Sequence, residues 1–342
     1  MRRTHALAFL VALAALLGAA ACGSGPHRAT RTVPAPPPRL PRGCSELVAP
    51  GYGLSRAVNG AAPGSTVCLA AGDYDARRLI IRRSGSATAR ITLRSASRLH
   101  PATIHGAIWL TNAANYWTFE DLRLDGRNEW NLPSPIVDGD HSVWRRVDVT
   151  NYHAGAGTSG GGICFSLGQV TRYGYAVDTT IENSRIHDCG ISDNHNHGIY
   201  VVATGGWTVI RDNWIYRNGD RGIQLYPNAR HVLITHNLID DNGSGIIFSG
   251  RASMSSRDNL VVGNIISNSR NRWNVESWYP PGTPVGVGNV VTDNCLWASN
   301  ANPEYDVHGG VAPPVGFHLA KGNVTRRPAR CRGFGPTGQP PE

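Results

Sequence analysis

The sequence predicts an all-β solenoid of stacked coils, and three observations carry that prediction. One phrase occurs three times: His197-Gly198-Ile199-Tyr200-Val201, Arg221-Gly222-Ile223-Gln224-Leu225 and Ser244-Gly245-Ile246-Ile247-Phe248. A second phrase runs between the copies, Ile210-Arg211-Asp212-Asn213-Trp214-Ile215 and Ile234-Thr235-His236-Asn237-Leu238-Ile239, and each unit closes on Asn-Gly, at Asn218-Gly219 and Asn242-Gly243. Two short apolar strands at a fixed spacing of roughly two dozen residues form a unit that buries its core only against copies of itself. The composition agrees: 40 Gly and 22 Pro among 342 residues are too many for a helical protein and suit short strands joined by turns.

Hydrophobic residues make up 41 %, enough for a core and too many for general disorder. The formal charge is +9. Arg2 and Arg3 belong to a removable leader, which leaves +7 (9 minus 2). Lys321 is the one lysine among 33 basic residues. An arginine-rich surface attracts acidic polysaccharide, nucleic acid or anionic lipid, although a simply solvated basic surface explains the same charge. No basic run alternates with aromatic residues, which argues against a nucleic-acid partner.

Residues 1–21 read as a secretory signal peptide, with Arg2-Arg3 ahead of an apolar run from Ala6 to Leu17 that is too short to span a membrane. The run ends Gly18-Ala19-Ala20-Ala21-Cys22, similar to a bacterial lipoprotein signal in which Cys22 carries the lipid. Ala19 departs from the leucine that signal prefers, so Ala-x-Ala cleavage competes. The expected location is outside the cell, on the outer face of the cytoplasmic membrane, as an anchored monomer. Residues 22–43, with six prolines and no apolar period, form an extended tether. The six remaining cysteines, Cys44, Cys68, Cys164, Cys189, Cys295 and Cys331, are even in number in an exported chain, so disulfides are expected. Chain order suggests 44–68, 164–189 and 295–331 among fifteen possible pairings. No two stand two or three apart, which disfavours a cysteine metal site.

The solenoid is expected over 44–300, with 301–342 packing on or beyond its last coils. At its start Leu54, Ala57, Val58 and Ala61 have helical spacing, and Pro63-Gly64 turns the chain into Thr66-Val67-Cys68-Leu69. A short helix there covers the first coil, whose backbone and apolar core would otherwise lie open. Strands follow at 79–81, 91–93, 104–110, 117–124, 143–149, 162–165 and 180–186, then the triple phrase, then 260–266 and 287–296. Asn213, Asn237, Asn264 and Asn294 recur two residues before the last apolar position. Stacked in register, they bond to one another and to turn backbone, which makes them architecture. Strand alternation points Ile199, Val201, Ile223, Leu225, Ile246 and Phe248 inward, and Tyr200, Val202, Gln224, Tyr226 and Ile247 outward.

These motifs, together with the segment from Pro63-Gly64 through Leu69 and Gly72 to Tyr74, resemble the right-handed parallel β-helix superfamily of pectate lyases, chondroitinase B, alginate lyases and mannuronan epimerases. The resemblance covers roughly 44–300 and implies a single-stranded right-handed parallel β-helix with a short N-terminal capping helix. It specifies the reaction weakly, because one fold hosts many activities.

Chemistry is expected where the repeat is broken, between Tyr152 and Gly198. Two insertions there carry His153, His187, Asp188, Asp193, His195 and His197, and the next coil adds Asp220, Arg221, Gln224 and Tyr226. A uronate lyase or epimerase needs a base for the proton α to a carboxylate and a cation for the enediolate. His197 or His195 suits the base, Arg221 the cation, and Tyr200 or Tyr226 the proton donor. Asp193, Asp220, Gln224, Tyr226, His153 and His187 are left to hold substrate. A His-Gly-Ile opening like 197–199 also occurs in mannuronan epimerases. The resemblance to alginate and chondroitin lyases implies a lysine base, and the one lysine, Lys321, lies beyond the coils. Three other readings stand beside this one. Asp188, Asp193, Asp220, Asp138 and Asp140 could supply the carboxylate pair of a glycoside hydrolase. Asp193, His195 and His197 offer metal ligands, and the acidic positions could hold Ca²⁺ against a substrate. A polar loop whose histidines satisfy turns would bind polysaccharide without catalysis, or merely space the surface. Trp273, Trp278, Tyr279, Pro280 and Pro281 interrupt the last coils, as a lid or as a sugar-stacking surface.

Overall fold

The computed structural model describes residues 40–51, 53–127, 131–152, 162–169, 173–191 and 194–339. The expected signal peptide, Cys22, most of the expected tether, His153 and Asp193 lie outside them. The chain winds through about nine turns of a parallel β-solenoid with one helix near its start. That helix, Leu54–Gly60, buries Leu54, Ala57 and Val58 against the first coil. Tyr74 plugs the same end, its hydroxyl donating to the carbonyls of Val48 at 2.7 Å and Ala70 at 2.9 Å.

Each coil contributes a strand to three faces. The first face runs from Glu46–Val48 and Thr66–Leu69 through Thr208–Arg211 to His318–Leu319. The second includes Arg185–Cys189, Trp214–Tyr216 and Cys295–Trp297, and ends at Val324–Thr325. The third begins with the C-terminal halves of Asp73–Ile81 and Thr103–Leu110 and continues through Ile136–Val137, Phe165–Leu167, Ile199–Ala203, Arg221–Asn228, Ser244–Arg251 and Val275–Trp278. Coil pairing therefore continues beyond residue 300, where Asn323 adds one more rung to the asparagine ladder.

In-register stacking brings like positions together at about 4.8 Å. The core thus stacks Phe119 on Trp144, with centroids 3.9 Å apart, and the asparagine column closes as predicted: Asn213 donates to Asn237, Asn237 to Asn264 and Asn264 to Asn294, each at 2.9 Å. The Asn-Gly doublets behave otherwise than expected. Asn218 and Asn242 form a second buried ladder at 2.8 Å, and the bend is made one residue earlier, by Arg217 and Asp241 at φ 54° and 52°. Gly243 is needed because a Cβ there would meet the Gly219 carbonyl at 2.8 Å, a close approach of stacked backbones. The disulfides join 44–68, 164–189 and 295–331, the pairing suggested by chain order.

Candidate functional site

The third face carries the site. Its register aligns one outward row, Trp109–Ile136–Ser166–Tyr200–Gln224–Ile247–Glu276, one residue per coil. Beside the C-terminal half of this row lies a cavity of about 610 Å³, lined among others by His195, His197, Tyr200, Arg221, Gln224, Tyr226, Glu276 and Trp278. That volume is in the range of small-ligand sites.

Beneath the cavity Asp220 is 1 % exposed and holds three partners. Arg221 Nη1 donates to Asp220 Oδ2, Arg272 Nη2 donates to Oδ1 at 2.5 Å, and His197 Nδ1 lies 3.3 Å from Oδ2. Glu276 accepts from Ser244 Oγ at 2.6 Å and pairs with Arg272 Nε at 3.2 Å. Two carboxylates and two guanidiniums balance, so burying them is tolerable. Burial would raise the Asp220 carboxyl, but His197, Arg221 and Arg272 outweigh it and hold it below the usual range. Burial pushes the His197 imidazole down to about 4, against the pull of Asp220, so the ring is neutral near pH 7. Burial, then the neighbouring Tyr226 ring, pushes the Tyr200 phenol up, which keeps it protonated. Tyr200 and Tyr226 stack with centroids 6.3 Å apart, and Trp278, 56 % exposed, stands at the rim.

Among the described residues, eight buried side-chain polar atoms lack an aligned hydrogen bond, and four of them surround this one network: His197 Nδ1, Arg221 Nε, Arg272 Nε and Gln224 Oε1. Folded proteins rarely leave such atoms unsatisfied without a reason, and a ligand is one such reason.

Of the residues singled out from the sequence, His195, His197, Tyr200, Asp220, Arg221, Gln224 and Tyr226 gather here, His195 at the exposed mouth. His187 does not. It sits on the second face, its ring nitrogens 2.8 Å from Asp148 and 2.5 Å from Asp188, stacked on Tyr216. The hydrolase carboxylates are likewise dispersed: Asp188 belongs to that second-face network, and Asp138 lies below Trp109. Trp273 packs edge-on against Tyr305, leaving Trp278 as the aromatic group of its segment that reaches the cavity. Glu276 and Arg272 were not anticipated. Glu276 lies on Val275–Trp278, which aligns with Ser244–Arg251 but lacks the Gly-Ile opening that marks the other copies, and Arg272 lies in the bend before it. Asp220 and Glu276 are both paired with guanidiniums, and among the described residues, which leave out Asp193, no group of three His, Cys, Asp or Glu could hold a metal.

Residues 136–311, just over half the chain, match the family described as right handed beta helix region. The chain belongs to the right-handed β-helix family. Similar solved right-handed β-helix structures include pectate lyase Pel9A, with 14 % identity, a TM-score of 0.52 and coverage of 79 % of this chain and 73 % of that one. Others are an alginate lyase from Paenibacillus sp. strain FPU-7 (15 % identity, TM-score 0.47, 83 % and 99 % covered) and the A-module of Azotobacter vinelandii mannuronan C-5 epimerase AlgE4 (18 %, 0.39, 69 % and 80 %). The likeness to the pectate lyase is one of fold. No curated protein sequence matches this β-helix chain.

Proposed function

We propose that this β-helix protein acts outside the cytoplasm on a uronate-containing polysaccharide, by β-elimination or epimerisation at the third-face cavity. The observation that carries the reading is the convergence of a neutral imidazole, a protonated phenol and an incompletely satisfied guanidinium around one cavity. With Nδ1 turned to Asp220, His197 presents Nε2 to the cavity; neither Nε2 nor Arg221 Nη2 has a hydrogen-bond partner among the described residues. Arg221 Nη2 receives the substrate carboxylate and lowers the cost of charge on it. His197 Nε2 takes the proton α to that carboxylate, leaving an enediolate. In elimination the C4–O bond then breaks, its electrons leave with the oxygen, and the Tyr200 hydroxyl protonates that oxygen. In epimerisation a proton returns to the same carbon from the opposite side. His195 at the mouth and Gln224 and Tyr226 on the wall contact the flanking sugar, and Trp278 stacks on it.

Incubation with pectate, alginate, hyaluronan and heparinoid polymers tests this. Ultraviolet absorbance from new unsaturated uronate supports elimination, and a changed epimer ratio without absorbance supports epimerisation. Retention on a polysaccharide gel with neither product favours a non-catalytic binder, and reducing ends without absorbance favour a hydrolase. Export with Cys22 lipidated and residues 22–43 as a tether belongs to the same proposal, supported by three disulfides typical of an oxidising compartment. Loss of membrane association in Cys22→Ser tests the anchor.

A further inference from the structure

A second cluster stands on the same outward row, three coils toward the N-terminus from Tyr200. The Trp109 indole donates its Nε1 hydrogen to Asp138 Oδ2 at 2.7 Å, and Gln169 Nε2 reaches the same oxygen at 3.5 Å. Asp138 is 1 % exposed, yet its Oδ1 has no hydrogen-bond partner among the described residues. The exposed Arg78 guanidinium lies 5.5 Å from the Trp109 ring centroid and pairs with no carboxylate among the described residues. Tyr173 meets the indole edge-on at 5.6 Å. Packing alone does not account for this group. A buried carboxyl with one oxygen unpartnered among the described residues, a partly exposed indole and an exposed cation beside it offer the three contacts an acidic sugar needs: a hydroxyl partner, an apolar ring face and a charge partner.

We propose that Arg78, Trp109, Asp138 and Gln169 form a separate, non-catalytic subsite for an acidic sugar residue of a polysaccharide laid along the third face. Arg78 takes the carboxylate, Trp109 the pyranose face, and Asp138 with Gln169 the hydroxyls. Burial raises the Asp138 carboxyl to about 6, so below that pH it sheds the negative charge that would repel such a ligand, and above it the Asp138 carboxylate accepts from sugar hydroxyls while the charge partner is Arg78. Three coil spacings, about 14 Å at ~4.8 Å each, separate Trp109 from Tyr200, the reach of a short oligosaccharide. Between them the row passes Ile136 and Ser166, neither of them charged or aromatic. The inference rests on the proposed function only for its choice of a uronate ligand.

The test uses the whole chain, with electrophoretic retardation in gels containing pectate or alginate, and product kinetics on uronate trimers and octamers. Arg78→Ala and Trp109→Phe should each weaken retardation several-fold and reduce the preference for octamers over trimers, seen as a rise in KM for the octamer. His197→Ala should lose turnover and keep retardation. Trp109→Phe keeps an apolar ring in place, and Arg78 is on the surface, so both variants should fold, as melting curves will verify. Wild-type retardation in both variants, with the octamer preference intact, overturns the subsite and leaves the catalytic reading standing. Retardation lost in both variants, with no turnover by the wild type, overturns the catalytic reading and keeps the subsite. A wild type that none of these polymers retards overturns the subsite.

Discussion

At the residue scale, burial assigns protonation states. The unfolded His197 ring binds a proton below about 6.5, the folded ring only near 4. A base depressed in this way contributes stability that is complete above about 6.5 and is lost as pH falls toward 4. Melting temperatures of wild type and His197→Gln should therefore diverge across that window, the variant showing the flatter curve. Asp138 works in the other direction. Its folded carboxyl holds its proton to about 6 against 3.8 unfolded, so stability is greatest at low pH and falls as pH rises between those values. Asp138→Asn should then melt higher than wild type at pH 8 and show no such advantage at pH 4. Tyr200→Phe removes one hydroxyl from a half-buried ring. It should lower kcat by about a hundredfold or more, the contribution of a general acid, without moving the melting temperature. Arg221→Ala is a poorer probe, because it leaves the buried carboxylates of Asp220 and Glu276 to share the one guanidinium of Arg272, an unbalanced charge that costs about 3 kcal/mol. Lost activity there would not separate catalysis from folding.

At the element scale, coil turns hold the stack together. Residues such as Asp121, Arg146, Asn183, Asp212 and His236 adopt left-handed backbone conformations at successive turns between the first and second faces, with φ between 50° and 56°. In the later coils the residue after the bend is an asparagine, whose amide satisfies a carbonyl of the coil below: Asn237 Nδ2 donates to Ile210 O at 2.8 Å. Asn237→Leu would take the acceptor from the Asn213 backbone NH, one of the two acceptors from the Asn213 amide, which keeps the Ile181 carbonyl, and the side-chain donor from the Ile210 carbonyl. At about 1–3 kcal/mol per buried group, the variant should melt well below wild type or fail to fold. The ladder was legible in advance, because the asparagines recur at a constant offset within each repeat. The second ladder was misread, since Asn-Gly is a strong turn signal locally, and only the stacked neighbour diverts Asn218 and Asn242 to cross-coil bonds.

At the scale of the whole molecule, the solenoid is closed at one end by a helix and a disulfide. Cys44–Cys68 spans 24 residues of chain, so a Cys44→Ser/Cys68→Ser variant should lose about 3 kcal/mol by loop entropy and melt lower. Under reducing conditions the wild type should approach the variant. The site depends on the long axis in another way. Arg272 reaches Asp220 across 52 residues of sequence, because two coils place them side by side.

Repetition determined the fold: a strand pattern that recurs at constant spacing has few other ways to bury its apolar side, and its in-register asparagines and alternation follow from that stacking. Proximity of His197 to Arg221 was legible for the same reason, since one repeat of offset means one coil of distance. The tertiary structure alone decided which polar residues share a face. His187 lies ten residues from His197 yet projects from another face, because the corner near Asp188, at φ 51°, turns the chain between them. Glu276 joins the cavity from a strand whose sequence hides its register, and Arg272 from the bend before that strand. Charge balance was likewise invisible beforehand, because the neutralisation of Asp220 depends on guanidiniums that two different coils bring to one buried carboxylate.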